Sequence, residues 1–199
     1  DICPHCGYDQ TSEAENLYYL PAGTVLGQGR YLVGKAVNAG GFGIVYRVWD
    51  QTFSKMVAIK EYFPSAIATR IPGTTEVRVH SNKNMREYEV GKSRFLSEAR
   101  RVAKFQTNPN VVDVYDFFEE NETAYMVMEF MDGMTYKQFI RSQGGKVKPD
   151  LACRVTLAVL DALSEVHRER IVHRDINPNN IFICQDGKVK LYDFGAARL

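Results

Sequence analysis

His173-Arg174-Asp175-Ile176-Asn177-Pro178-Asn179-Asn180 and Asp193-Phe194-Gly195 restrict the folds open to this chain more than any other feature. Between them lie two strand-like runs, Ile181-Phe182-Ile183-Cys184 and Lys188-Val189-Lys190-Leu191-Tyr192, on either side of Asp186-Gly187, a hairpin signal. The fold must therefore carry two acidic loops joined by one small hairpin. Asp175 and Asp193 are two acids, and Asn180 is an amide. Their spacing suits one acid orienting a hydroxyl while the amide and the other acid hold magnesium.

The chain has the means to bury such a unit. With 199 residues, 45% of them hydrophobic, it can pack one domain or two small lobes, so disorder is not expected. Its 25 basic and 24 acidic residues give a formal charge of +1, with no overall attraction to nucleic acid or an anionic membrane. An anionic ligand must then be held by local chemistry. No apolar run is long enough to span a bilayer, and the start at Asp1 lacks the order of a secretory signal, so the expected setting is cytoplasmic. The absence of an initiating methionine suggests that sequence precedes Asp1.

Three segments are expected: a head and linker over 1–20, a strand-rich lobe over 21–131, and the beginning of a helical lobe over 132–199. Tyr31 to Val37 and Ile44 to Trp49 read as a hairpin around a glycine-rich turn, and Met56 to Lys60 as a third strand. Residues 62–84, with Pro64, Pro72 and Gly73, read as an irregular insertion. Phe95, Leu96, Ala99, Val102, Ala103 and Phe105 give helical spacing over about 86–105. Val111 to Phe118 and Thr123 to Phe130 complete a five-stranded sheet. Helices are expected near 136–141 and 149–168, the second with apolar residues on more than one face. Cys153 and Cys184 sit in apolar sequence and read as buried thiols.

Several residue types point to chemistry. Asn38, Gly40, Gly41 and Gly43 surround a turn whose backbone N–H groups could fold over phosphates, although an ordinary hairpin turn would also use these glycines. Lys60 ends a strand and Glu98 lies on the following helix, on the side of Phe95 and Val102, where a carboxylate can hold a lysine in one rotamer. Asp175 can orient a hydroxyl and take its proton, and Asn180 and Asp193 can supply oxygen ligands to magnesium. His173 reads as a structural residue bonded to backbone. Tyr18, Tyr19, Phe117, Phe118, Tyr125 and Phe130 do not interleave with a basic stripe and read as linker and core.

Val57-Ala58-Ile59-Lys60, His173-Arg174-Asp175 with Asn180, and Asp193-Phe194-Gly195 resemble the signature of the eukaryotic-like Ser/Thr protein kinases, in a bacterial branch. The resemblance spans about residues 24–199. It implies an α+β protein-kinase-like fold, with a five-stranded antiparallel small lobe, one main helix and an incomplete helical large lobe ending just past Gly195. It also implies ATP and Mg2+ as cofactors and a protein substrate. Asp175, Lys60 and Glu98 would serve catalysis, and Asn180 and Asp193 the magnesium. Met128 would be the gatekeeper, and the backbone of Glu129 and Met131 would bond adenine, with Val45 and Ala58 above the ring and Phe182 below. Val102, Val114, His173 and Phe194 look like the family's regulatory stack. Asn38 replaces the usual first loop glycine, and Asn177 replaces a lysine that neutralises the γ-phosphate. That second departure keeps a nucleotide-binding pseudokinase as an alternative, and a small-molecule kinase is a third.

Cys3-Pro4-His5-Cys6-Gly7 is a separate signal. It resembles one knuckle of a zinc ribbon, with Cys3 and Cys6 as half of a Zn2+ site whose other pair lies upstream; a redox pair is the competing reading. The large lobe stops soon after Gly195, so these residues made alone should expose the 149–168 helix and self-associate.

Overall fold

The computed structural model describes residues 18–41 and 43–197, which gather into two units. The first unit holds the described residues up to Ala99 together with Val114–Phe130. The second holds Arg100–Asp113 and the described residues from Met131 onward.

In the first unit, β1 (Val25–Leu26), β2 (Tyr31–Gly40), β3 (Gly43–Asp50), β4 (Lys55–Tyr62), β7 (Val114–Glu120) and β8 (Thr123–Glu129) form one antiparallel sheet in the order β1-β2-β3-β4-β8-β7. Ile44, Tyr46 and Val48 are buried on β3 at the period of two that a half-covered strand requires. The sheet curls until its ends touch. Tyr31 on β2 stacks on Phe118 of β7 at 5.9 Å, and its hydroxyl donates to Asp116 at 3.1 Å. The Gly27 N–H donates to Glu120 at 2.9 Å. Helix α1 (Asn82–Val102), which belongs to this unit as far as Ala99, buries Tyr88, Phe95, Leu96 and Ala99 on one apolar stripe.

Three expectations change here. The sheet has six strands rather than five, because Val25 and Leu26 pair with Leu32 and Tyr31 across a turn with positive φ at Gly27, Gln28 and Gly29. A two-residue strand shows no periodicity. The insertion is ordered: β5 (Ala68–Arg70) and β6 (Val77–Val79) pair with Arg70 opposite Val77. The helix begins earlier than expected, and Ala103–Phe105 follow it as a 3-10 turn.

The second unit carries β9 (Gly133–Thr135), α2 (Tyr136–Ser142), α3 (Pro149–Arg168), β10 (Ile181–Cys184) and β11 (Val189–Leu191). The expected hairpin is β10 with β11, and β9 adds a third strand through Phe182 opposite Thr135. Thr135 and Gln138 form a reciprocal capping box at the start of α2. Val111 and Val112 lie outside β7, which starts at Val114. Their segment bonds β11 instead: the Val112 N–H donates to Leu191 at 3.0 Å, and the Leu191 N–H to Asn110 at 2.7 Å.

Helix α3 buries Val155, Val159, Ala162 and Val166, a single stripe. Leu157 and Leu160 are 65% and 55% exposed. Cys153 is exposed and Cys184 half-buried, against the expectation of core thiols, because Cys153 lies off the buried stripe of α3. No described helix is long and apolar enough to cross a membrane.

Candidate active site

Strand register brings one set of candidate residues together in the first unit. Ala58 and Lys60 are two apart on β4 and so share a face; Val45 lies opposite Lys60 on β3, and Met128 opposite Ala58 on β8. Val45, Ala58, Lys60 and Met128 therefore line one face of the sheet. Lys60 Nζ sits 3.8 Å from Glu98 Oε1 of α1, with side chains 21% and 11% exposed. Partial burial shields such a pair from salt. Glu129 ends β8, half-buried and opposite Val57, whereas Met131 falls in the second unit.

The four turn positions serve different ends. A Cβ at Gly40 or Gly41 would meet nothing within 4 Å, the open space that a backbone cradle for anions needs. A Cβ at Gly43 would lie 2.5 Å from the Glu61 carbonyl oxygen, so that glycine lets β3 approach β4. Asn38 is a residue of β2 paired with Val45 and does not take positive φ.

A second set of candidate residues lies in the second unit, on the loop before β10. Asn177 Nδ2 donates to Asp175 Oδ1 at 2.9 Å, and Asn180 Nδ2 donates to Asp175 Oδ2 at 2.7 Å. Each carboxylate oxygen thus holds one amide. Asn177 Oδ1 accepts from the Asn179 N–H at 2.8 Å, which fixes its own side chain. Asn180 is buried and has committed its nitrogen to Asp175, so its Oδ1 is the atom left to face a hard cation. The Tyr192 N–H donates to the Asn180 carbonyl at 3.1 Å, which ties this loop to the residue before Asp193. Asp193 has φ of 61° and Arg174 of 68°, uncommon for residues other than glycine and frequent where a site fixes its backbone. Phe182 is half-buried on β10, with its ring edge-on to Tyr192 at 6.2 Å. Among the described residues no group of three or more His, Cys, Asp or Glu is gathered to hold a metal. Cys3 and Cys6 lie outside the described residues.

His173 is buried, and both ring nitrogens meet backbone. Nε2 donates to the Tyr192 carbonyl at 3.4 Å, and Nδ1 accepts from the Asp175 N–H at 3.3 Å. Its ring packs on Phe194 at 4.6 Å, and Phe194 stacks on Phe105 at 6.3 Å. Burial pushes the His173 pKa below its ordinary value of 6.5. The unfolded chain then takes up the proton first, so stability is full above about pH 6.5 and falls as pH drops toward the folded-state value. Protonated Nδ1 would also oppose the Asp175 N–H. Urea midpoints measured from pH 7.5 to 5.5 should fall in the wild type and fall less in His173→Gln.

The opposite face of β4 carries a group that sequence reading missed. Glu61 is wholly buried and accepts from Tyr46 at 2.9 Å, from Tyr125 at 3.1 Å and from Arg70. Arg70 also donates to the carbonyls of Tyr18 at 2.7 Å and Thr75 at 3.0 Å. Burial pushes the Glu61 carboxyl up, while Arg70 and the tyrosines pull it back. Alternation was the available signal, since Glu61 shares its face of β4 with the buried Val57 and Ile59.

Residues 31–199 match the sequence model of the protein kinase domain. The chain is 33% identical over 184 residues to a probable serine/threonine-protein kinase PknB of Bifidobacterium longum, covering 88% of this chain and 24% of that protein. It is 34% identical over 170 residues to the serine/threonine-protein kinase PrkC of Bacillus subtilis, covering 85% and 23%. The chain therefore spans about a quarter of the length of these relatives. Among solved structures it resembles one described as PpkA-294 apo form, with a TM-score of 0.83, 33% identity, and coverage of 89% of this chain and 62% of that one.

Proposed function

This chain belongs to the protein kinase domain family, and from that membership we propose that the protein transfers the γ-phosphoryl group of ATP to Ser or Thr hydroxyls of other proteins. The observation that carries the reading is the Asp175 carboxylate, held on one oxygen by Asn177 and on the other by Asn180. Each oxygen keeps a lone pair with which to orient the acceptor hydroxyl and take its proton as the hydroxyl oxygen attacks phosphorus. ADP leaves with the electron pair of the broken bond. Lys60, steadied by Glu98, and the open backbone at Gly40 and Gly41 bind phosphate oxygens. Val45, Ala58, Met128 and Phe182 supply apolar surface for adenine, and Glu129 and Met131 supply its backbone bonds. Asn180 and Asp193 offer an amide and a carboxylate oxygen, a donor set that fits Mg2+, which when bound spreads the negative charge of the transferring group.

ATP as donor accords with a cytoplasmic setting. The apolar exposure of Leu157 and Leu160 supports self-association of these residues taken alone. Assigning Cys3 and Cys6 to half a zinc knuckle rests on their Cys-x-x-Cys-Gly spacing. Asn177 in place of lysine favours a second reading, nucleotide binding without transfer. The full-length protein incubated with γ-labelled ATP and a Ser/Thr protein separates the two. Transfer should appear and then vanish with EDTA, and Asp193→Asn should lower it about 100-fold. Equal labelling by wild type and variant overturns the assignment.

A further inference from the structure

Helix α1 carries a glycine in its interior at position 91, where alanine would be preferred. A Cβ there would collide with the Tyr62 hydroxyl and lie 2.9 Å from Tyr62 Cζ. The Tyr62 ring cannot simply swing aside. It lies 5.2 Å from the Tyr88 ring and 5.8 Å from Phe95, and its hydroxyl donates to the Tyr88 carbonyl of α1 at 3.3 Å. Tyr88 is buried in turn, and its own hydroxyl bonds the Glu122 carbonyl at 2.9 Å, in the turn between β7 and β8.

These contacts run parallel to the Lys60–Glu98 pair. Tyr62 is two residues beyond Lys60 on β4, so both face α1. Gly91 is seven residues before Glu98, two helical turns along the same face. Phe95 touches both sets, since Lys60 Nζ lies 5.9 Å from its ring centroid. We propose that Tyr62 and Gly91 form a latch that sets the distance between β4 and α1 at which Glu98 reaches Lys60. They are positioning residues, and the proposal rests on the kinase reading for its kinetic consequence. Glycine allows the hydroxyl to seat against the helix backbone, and one added methyl group would lever α1 outward at the end next to Glu98.

Kinetics of the full-length protein test this. Gly91→Ala should lower kcat about tenfold with the ATP KM within about threefold. Glu98→Gln should cost about tenfold in the wild type but less than about twofold in the Gly91→Ala background, because the pair would already be broken. A purely structural role of Gly91 would leave the Glu98→Gln cost unchanged. Wild-type kcat in Gly91→Ala with the full Glu98→Gln cost overturns the latch. Where Gly91→Ala does not fold, Tyr62→Phe decides, since it keeps the ring and loses the bond to α1. It should lower kcat about threefold and reduce the Glu98→Gln cost, and wild-type behaviour in it overturns the proposal. Absence of transfer by the wild type would sink the kinase reading alone. The latch is then judged from a crystal structure of Gly91→Ala, where a Lys60–Glu98 separation well beyond about 4 Å supports it and the original 3.8 Å overturns it.

Discussion

Arg70→Met is expected to destabilise the first unit by about 3–5 kcal/mol, the cost of leaving a buried charge without its partner. Arg70 and Glu61 have side chains with no exposure, and Arg70 additionally satisfies the carbonyls of Tyr18 and Thr75. Methionine fills the volume and donates nothing, so a carboxylate that water does not reach loses its charged partner and two part-buried carbonyls lose a donor. The tyrosine hydroxyls of Tyr46 and Tyr125 still reach Glu61, which keeps the loss from being larger. Adding Glu61→Gln removes the stranded charge and should return about half of the loss. Urea unfolding at pH 7 measures both variants, with a lower midpoint at unchanged m as the signature of lost stability. A loss below about 1 kcal/mol in Arg70→Met would show that the pair contributes no more than an exposed ion pair.

The same pair marks where reading the sequence ended. Asp175, Asn180 and Asp193 stand out as candidates in one dimension because an acid, an amide and an acid recur there at short spacings, and Lys60 because it follows the strand-like run Val57-Ala58-Ile59. The hairpin of β10 and β11 was legible because apolar residues flank Asp186-Gly187. Alternation puts Glu61 on the face of Val57 and Ile59, but Arg70 looks like a solvated charge in one dimension, and nothing local announces that a residue nine positions away will neutralise a buried carboxylate. The strands that carry Arg70 and Val77 are three residues long, too short to display alternation between prolines and a glycine. β1 and β9 escaped for the same reason, each defined only by the strand it meets. Cys153 was misjudged because apolar neighbours in sequence need not share its face of a helix. Asn177 was visible as a departure from the lysine usual in the family, but its contact with Asp175 was not, because that depends on how the loop folds back.

Asp175→Asn is expected to lower kcat by about 100- to 10,000-fold, the range for removing a positioned proton acceptor, while ATP-dependent stabilisation persists. The amide cannot accept the hydroxyl proton, and it also upsets the loop. Asn177 and Asn180 both donate to this side chain, so replacing one carboxylate oxygen by NH2 sets donor against donor at one position. The neighbouring Asn177 separates orientation from charge. Asn177→Ala removes one of the two restraints on Asp175 and should cost about tenfold in kcat, a single hydrogen bond to a charged group. Asn177→Lys can still donate to Asp175 and places a cation where negative charge spreads in the transition state, so its kcat should exceed that of Asn177→Ala by at least about tenfold. Both variants should bind ATP as the wild type does, read by the shift in melting temperature. If Asn177→Ala matches the wild type, Asp175 is held without its second amide, and the short contact to Asn177 has no part in the rate. If Asp175→Asn transfers phosphate as fast as the wild type, the proton goes elsewhere and Asp175 is not the group that receives it.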